Sequence, residues 1–394
     1  MTTNRIEEIR AGLLDDLRDG VSFSSEQMAD TLARMVAEQA EDRPRDGELL
    51  TRRLGLDGIR PETLTLLGAR FELSRDRVRQ LYTRAAGQLL RRVQATGSPD
   101  PSVFAERYPV GTGDQSLVRT LLIETHVGDS DIAAQDLAYL KLRLAGHSLI
   151  DAKRVAGFVF QRIAGWQQRG RWHPDHPRGS EPVAGQLLPL LRRASWPDSD
   201  PAELPDLPIT TVDADDDARG RIFAEKLGRE TTFDTALQAG LLRTLDEAEQ
   251  VAGYVERPFG VDYELDGVPD SYCPTVAVRL TDGRVLLIDV VALGLLGMHA
   301  NRVRLDAARA EARNRGWGWL VYTGSRLSEP DLLQHTVSAR SENILRNRLA
   351  AGAIGWREFL GCVSDTDLEP VDLIALTLRH GWRWDRAPFR LSTA

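Results

Sequence analysis

Cysteine is nearly missing from this chain: Cys273 and Cys362 are the only two among 394 residues. Neither stands in a CxxC pair or beside histidines at ligand spacing, which excludes a zinc site and a disulfide framework as organising features. Both read as small buried hydrophobes. Long apolar runs are missing too. No stretch approaches the roughly 18 uninterrupted apolar residues that a membrane helix needs. The opening MTTNRIEEIR lacks the basic-then-apolar pattern of a signal peptide. The expectation is a cytoplasmic chain with no membrane partner. Lysine is confined to Lys141, Lys153 and Lys226, so the positive charge is carried by arginine.

That arginine is unevenly distributed. Residues 43–93 hold twelve arginines against six acidic residues, a local balance of +6 inside a chain of net charge −8. One basic module therefore sits on an acidic body, a pattern that whole-chain charge hides. The length suits two or three domains. Residues 1–42 are expected to form two amphipathic helices, Ile6–Leu17 and Ser25–Glu38, with Ser24 or Ser25 capping the second. Residues 43–96 are the basic module. Residues 102–168 have apolar spacings of three and four, interrupted at Gly146–His147, and read as a helical spacer domain. Residues 169–220 are linker-rich, with RWHPDHPRGSEP, four prolines after Trp196 and the acidic run Asp213–Asp217. The pair His173 and His176 there reads as exposed rather than metal-binding.

From 221 to 327 the pattern changes to helix, strands, helix, strand. Phe259–Leu265, Pro274–Leu280, Val285–Val291 and Trp319–Thr323 are strand candidates, and Ala300–Arg315 is a helix that Gly316 ends. Asp282–Gly283 is the strongest hairpin signal, with Asp266–Gly267 a second turn. Residues 328–394 are expected to be a small helical region. The fold class is thus multidomain, α followed by α/β: an all-helical first part and a mixed sheet flanked by helices.

Within the basic module, Leu64, Leu67 and Phe71 share one face of a short helix, and Gly68 admits a close partner helix. Glu72–Leu73 makes the turn, with Leu73 pointing inward, and Ser74 is an N-cap. The following helix is expected to bury Val78, Leu81 and Ala85. It presents Arg75, Asp76, Arg77, Arg79 and Gln80 on its first turns, where a recognition helix reads base edges. Arginine forks match guanine and glutamine matches adenine. Arg84, Arg91 and Arg92 lie further along, where phosphates are contacted. The segments Pro44–Gly58 and Thr63–Gln80 resemble, in register, region four of the bacterial primary sigma factors. The resemblance implies a helix-turn-helix on double-stranded DNA, with Arg75, Asp76, Arg77 and Gln80 at promoter-contacting positions. The larger polymerase-binding helical region of a working sigma factor has no counterpart here.

A second resemblance covers about 238–392. Glu256-Arg257-Pro258, Val261–Gly267, Tyr272–Thr275, Asp282–Arg284, Leu287–Val291 and Gly316–Val321 follow the order of motifs in the TnsA-type transposon endonucleases. Gly381–Ser392 is similar to the end of that family's C-terminal helical region. That family is a branch of the PD-(D/E)xK nucleases, which hold Mg²⁺ with carboxylates and use a lysine to orient water. The resemblance puts Gln238, Thr275, Asp289 and Val291 at the catalytic positions, and only Asp289 keeps its acid. No catalytic residue, metal or cofactor is therefore expected, and the implied reading is a pseudo-nuclease acting as a DNA- or partner-binding platform. Transcription control, a mobile element and phage defence are equally compatible settings. One alternative is an active metal-dependent endonuclease whose carboxylates have moved to Asp270, Glu225, Glu230, Asp262 or Glu264. In it Asp289 is a ligand; otherwise it is a buried acid paired with an arginine such as Arg302 or Arg304. Another is an accessory factor that binds RNA polymerase. A transposase-like or defence-system partner and a homodimer remain open.

Overall fold

The computed structural model describes residues 22–97, 99–169, 184–209, 220–325 and 327–393. The expected helix Ile6–Leu17, the histidines His173 and His176 and the acidic run Asp213–Asp217 lie outside these.

The first part is helical. Helix α1 (Phe23–Asp42) is capped by Ser22, whose hydroxyl accepts from the Ser24 amide, so the cap lies before the serines proposed from sequence. Helix α2 (Pro44–Leu54) starts on a proline, which is preset for a first helical turn, and ends at Gly55 with φ 65°. Helices α3 (Leu64–Phe71) and α4 (Arg75–Thr96) follow, each opened by a hydroxyl cap, Thr63 and Ser74. Then come α5 (Ser102–Arg107), α6 (Asp114–Val127), α7 (Ala134–Leu144) and α8 (Leu149–Arg169). One apolar core runs from Met28 to Ile163 and joins all of them, including Leu50, Leu67, Leu89, Phe104, Leu140 and Val159. Each fully buried leucine contributes about 1.5–3 kcal/mol. The segments 1–42, 43–96 and 102–168 thus share one core.

The second part is built on a mixed sheet. Helix α9 (Ala184–Arg193) precedes a hairpin of β1 (Gly220–Ala224) and β2 (Arg229–Phe233), and α10 (Ala236–Glu247) leads into β3 (Val251–Glu256). A side hairpin of β4 (Val261–Leu265) and β5 (Val268–Tyr272) is followed by β6 (Val276–Leu280) and β7 (Val285–Val290). Helix α11 (His299–Asn314) connects to β8 (Gly318–Tyr322). The sheet order is β3-β6-β7-β8, antiparallel except for the β7–β8 pair. All six residues of β7 are buried, as a central strand covered on both faces requires.

The final region contains α12 (Glu329–Leu333), α13 (Ala339–Ala350), β9 (Ile354–Gly355), α14 (Trp356–Ser364), α15 (Pro370–His380), β10 (Arg383–Arg386) and β11 (Phe389–Ser392). The three strands pair in the order β10-β11-β9, so this region is not purely helical as expected. Trp356, Phe359 and Phe389 pack ring against ring at its centre.

Three further expectations change. Part of the supposed linker is structured: Ser195 exchanges backbone hydrogen bonds of 3.0 and 2.9 Å with Trp319 and covers the β8 edge. Trp196 next to it lies against Gly318, where any side chain would collide with the indole. The two-residue turn with both φ positive is Asp266–Gly267 (53° and 80°), whereas at Asp282–Gly283 only the glycine is positive. The β1–β2 hairpin has no counterpart among the expected strands.

Candidate functional site

The first candidate surface is the start of α4. Ser74 Oγ accepts from the Arg77 amide at 3.3 Å, which satisfies one orphan donor and fixes the helix start. Glu72 adopts φ 55°, and a Cβ on Gly68 would come within 2.7 Å of the Leu73 carbonyl. Gly68 therefore serves the turn itself rather than a distant helix. On α4, Val78, Ala85, Leu89 and Val93 are buried, and Tyr82 takes the inward position expected of Leu81, which is half-buried. Phe71 and Leu73 are also only half-buried, and the Arg45 guanidinium covers the Phe71 ring at 5.5 Å.

This inward face leaves Arg75, Asp76, Arg77, Arg79 and Gln80 exposed together. Arg77 Nη1 donates to Gln80 Oε1 at 3.1 Å, so the two side chains are aligned along one ridge. Of the arginines further along, Arg91 is exposed. Arg84 lies 3.4 Å from Asp46, and Arg92 lies 2.6 Å from Asp42. Those two ion pairs hold their guanidinium groups partly against the protein.

The second candidate surface is the cleft at the end of β7. Thr275, Asp289, Val290 and Val291 line a cavity of about 30 Å³ together with Arg60, Asp129, Tyr272 and Arg304. Thr275 Oγ1 accepts the Val290 amide at 3.1 Å. Asp289 is buried, and its Oδ2 accepts from Trp319 Nε1 at 3.3 Å. Burial pushes its pKa up to about 6, against opposing pulls from the Trp319 hydrogen bond and the Arg304 and Arg60 charges. Neither Arg302 nor Arg304 forms an ion pair with it. Arg302 instead donates to the Trp382 carbonyl at 2.6 Å, and Arg304 stacks over the Tyr272 ring at 4.4 Å. Gln238 does not reach the cleft. Its side-chain oxygen accepts the Asp234 amide at 2.8 Å and finishes the start of α10.

The cation in this cleft comes from the helical part. Arg60 follows Gly58, which has φ 83° and rests so close to Met298 that a Cβ would lie 2.2 Å from its sulfur. The Gly58 carbonyl accepts from Asn301 Nδ2 at 2.8 Å, which pins the turn onto the start of α11. From there Arg60 bonds Asp129 and the Val290 carbonyl, each at 3.1 Å from Nη2, and approaches Asp234 at 3.6 Å from Nη1. The surrounding carboxylates hold its pKa above the usual guanidinium value despite burial. Asp234 is also bonded by Arg257. Nearby, Asp131 accepts the Ala236 amide at 2.8 Å, so a carboxylate of the helical part caps α10 of the sheet.

Sequence reading missed Arg60, Asp129, Asp131 and Asp234. No short motif links an arginine to a carbonyl 230 positions away. The alternative carboxylates do not converge here either. Glu225, Glu230, Asp262 and Glu264 are exposed, and Asp270 lies 3.6 Å from Arg70. Among the described residues, no group of three His, Cys, Asp or Glu side chains is arranged to hold a metal ion. No helix among them is long and apolar enough to cross a membrane. No family model, curated protein or solved structure matches the chain.

Proposed function

We propose that the chain is a double-stranded-DNA-binding protein that reads a major groove with α4, using a nuclease-like but catalytically degenerate body as its mount. The observation that carries this reading is the exposed ridge Arg75, Arg77, Arg79 and Gln80 on the first turns of a helix whose opposite face is buried. These side chains have the donor and acceptor patterns that guanine and adenine edges require. The chain order of helix, three sheet strands, helix and strand, with the last two strands parallel, supports the likeness to a nuclease scaffold. At the catalytic positions of that scaffold, Thr275 offers a hydroxyl already bonded to backbone and Val291 offers no proton. Arg60 brings a fixed positive charge to the cleft, where a divalent cation would be repelled.

The test is binding of the full chain to duplex DNA over a salt series, with and without Mg²⁺. Salt-steep binding that falls roughly 10–1,000-fold in Arg75→Ala/Arg77→Ala, with the DNA left uncut, is the expected result. DNA cleavage that disappears in Asp289→Ala would establish the endonuclease alternative instead. Absence of DNA binding at low salt, together with retention of RNA polymerase, would establish the accessory-factor alternative.

A further inference from the structure

A second and larger cavity, of about 100 Å³, lies between the two parts of the molecule. Its walls are Leu32 and Ala29 of α1, Leu56 of the turn after α2, and Leu295 and Arg386 of the second part, with Glu26 completing it. The lining is mostly apolar, but it holds two buried polar atoms without partners, Glu26 Oε2 and Arg386 Nε. These belong to one ion pair, Arg386 Nη2 with Glu26 Oε1, so each residue spends one polar atom on the other and keeps one spare. An engineered apolar cavity of roughly 150 Å³ accepts benzene, so this one has room for a molecule slightly smaller.

We propose that this cavity is a binding site for a short-chain primary amide, whose polar head meets Glu26 and Arg386 and whose tail lies among Leu32, Leu56 and Leu295. An orphaned buried donor and an orphaned buried acceptor each cost about 1–3 kcal/mol, so a ligand that answers both recovers that cost. A primary amide has an N–H for the carboxyl oxygen and a carbonyl for the guanidinium N–H within one planar group. It is uncharged, so it enters an apolar cavity without the desolvation that an ion would suffer. A carboxylate of the same length would set a second negative charge against Glu26. Because the walls come from both parts, the occupant would tie them together.

The probe is propanamide, titrated calorimetrically into the full chain, with propanoate as its charged counterpart. The expected result is saturable, millimolar binding of propanamide and binding of propanoate at least about tenfold weaker. Ala29→Leu, which fills the cavity from α1, should weaken propanamide binding at least about tenfold while its melting transition stays cooperative. Ser25→Leu is the second filling variant, used if Ala29→Leu does not fold. Absence of saturable heat, undiminished binding in a folded filling variant, or equal binding of propanoate overturns the proposal.

Discussion

The Arg60 guanidinium rests on the Asp129 carboxylate, with Nη2 and Nε 3.1 and 3.2 Å from the same oxygen. Asp129 belongs to the helical part, and the guanidinium goes on from it to Val290 and Asp234 in the other. Asp129 is 3% exposed, so removing the arginine would strand a buried charge. Arg60→Met should therefore cost about 3–5 kcal/mol. Asp129 has φ 47°, a conformation that asparagine tolerates. Arg60→Met/Asp129→Asn should consequently recover more than half of that loss. Urea unfolding of the four proteins in a double-mutant cycle measures the coupling. An unchanged midpoint in Arg60→Met would remove this contact from the account.

Asp289 makes stability depend on pH in a definite direction. Its folded pKa of about 6 lies above the unfolded value near 3.8. The stability associated with its proton is fully present below the unfolded value and is lost as pH rises through the folded one. The loss amounts to about 2–3 kcal/mol at neutral pH. Other carboxylates titrate over the same range, so the comparison with Asp289→Asn isolates this group. The stability of the wild-type protein relative to that variant should fall by about 2 kcal/mol between pH 4 and pH 7.5. A constant difference across that range would show that Asp289 titrates normally.

The helix-turn-helix was legible because its signals are local. A hydroxyl cap, a glycine in the turn and apolar residues three and four apart each act within a few residues, and Thr63, Gly68 and Ser74 occupy those positions. The sheet strands were legible for the same reason, since β7 is an uninterrupted apolar run. The Leu81 and Tyr82 exchange was not, because both residues are apolar enough to face inward and tertiary packing chose between them. The strap at Ser195–Ala202 was hidden by its composition. Proline and aspartate suit solvated chain, and only the β8 edge supplies Ser195 with backbone partners and the indole of Trp317 supplies Ala202 with a donor. The filling of the cleft by Arg60 depends on a contact between distant positions, which no periodicity encodes.

Gly58 offers a way to disturb the docking without touching the recognition helix. Its φ of 83° disfavours any side chain, and an added Cβ would lie 2.2 Å from Met298 Sδ. Gly58→Ala should cost about 1–3 kcal/mol, partly from backbone strain and partly from the displaced sulfur. Met298→Ala should relieve the second component only, so the double variant should be more stable than the sum of the two losses predicts. Additive losses measured by urea unfolding would show that Met298 does not press on this turn.

Arg91 and Arg92 are neighbours in sequence but differ in what holds them, and this separates their effects on DNA binding. Arg92 is engaged by Asp42 at 2.6 Å, whereas Arg91 is exposed on the same helix. A guanidinium that contacts a phosphate releases roughly one counterion, so its loss reduces the slope of log K against log salt by about 1. Arg91→Ala should show that reduction without altering the preferred sequence, since phosphate contacts carry no base information. Arg92→Ala should change the slope by less, because its charge is already partly neutralised by Asp42. Asp42→Ala provides the complementary measurement. By freeing Arg92 it should strengthen binding and steepen the salt dependence, and equal slopes for Arg91→Ala and Arg92→Ala would mean that the Asp42 pair opens on DNA.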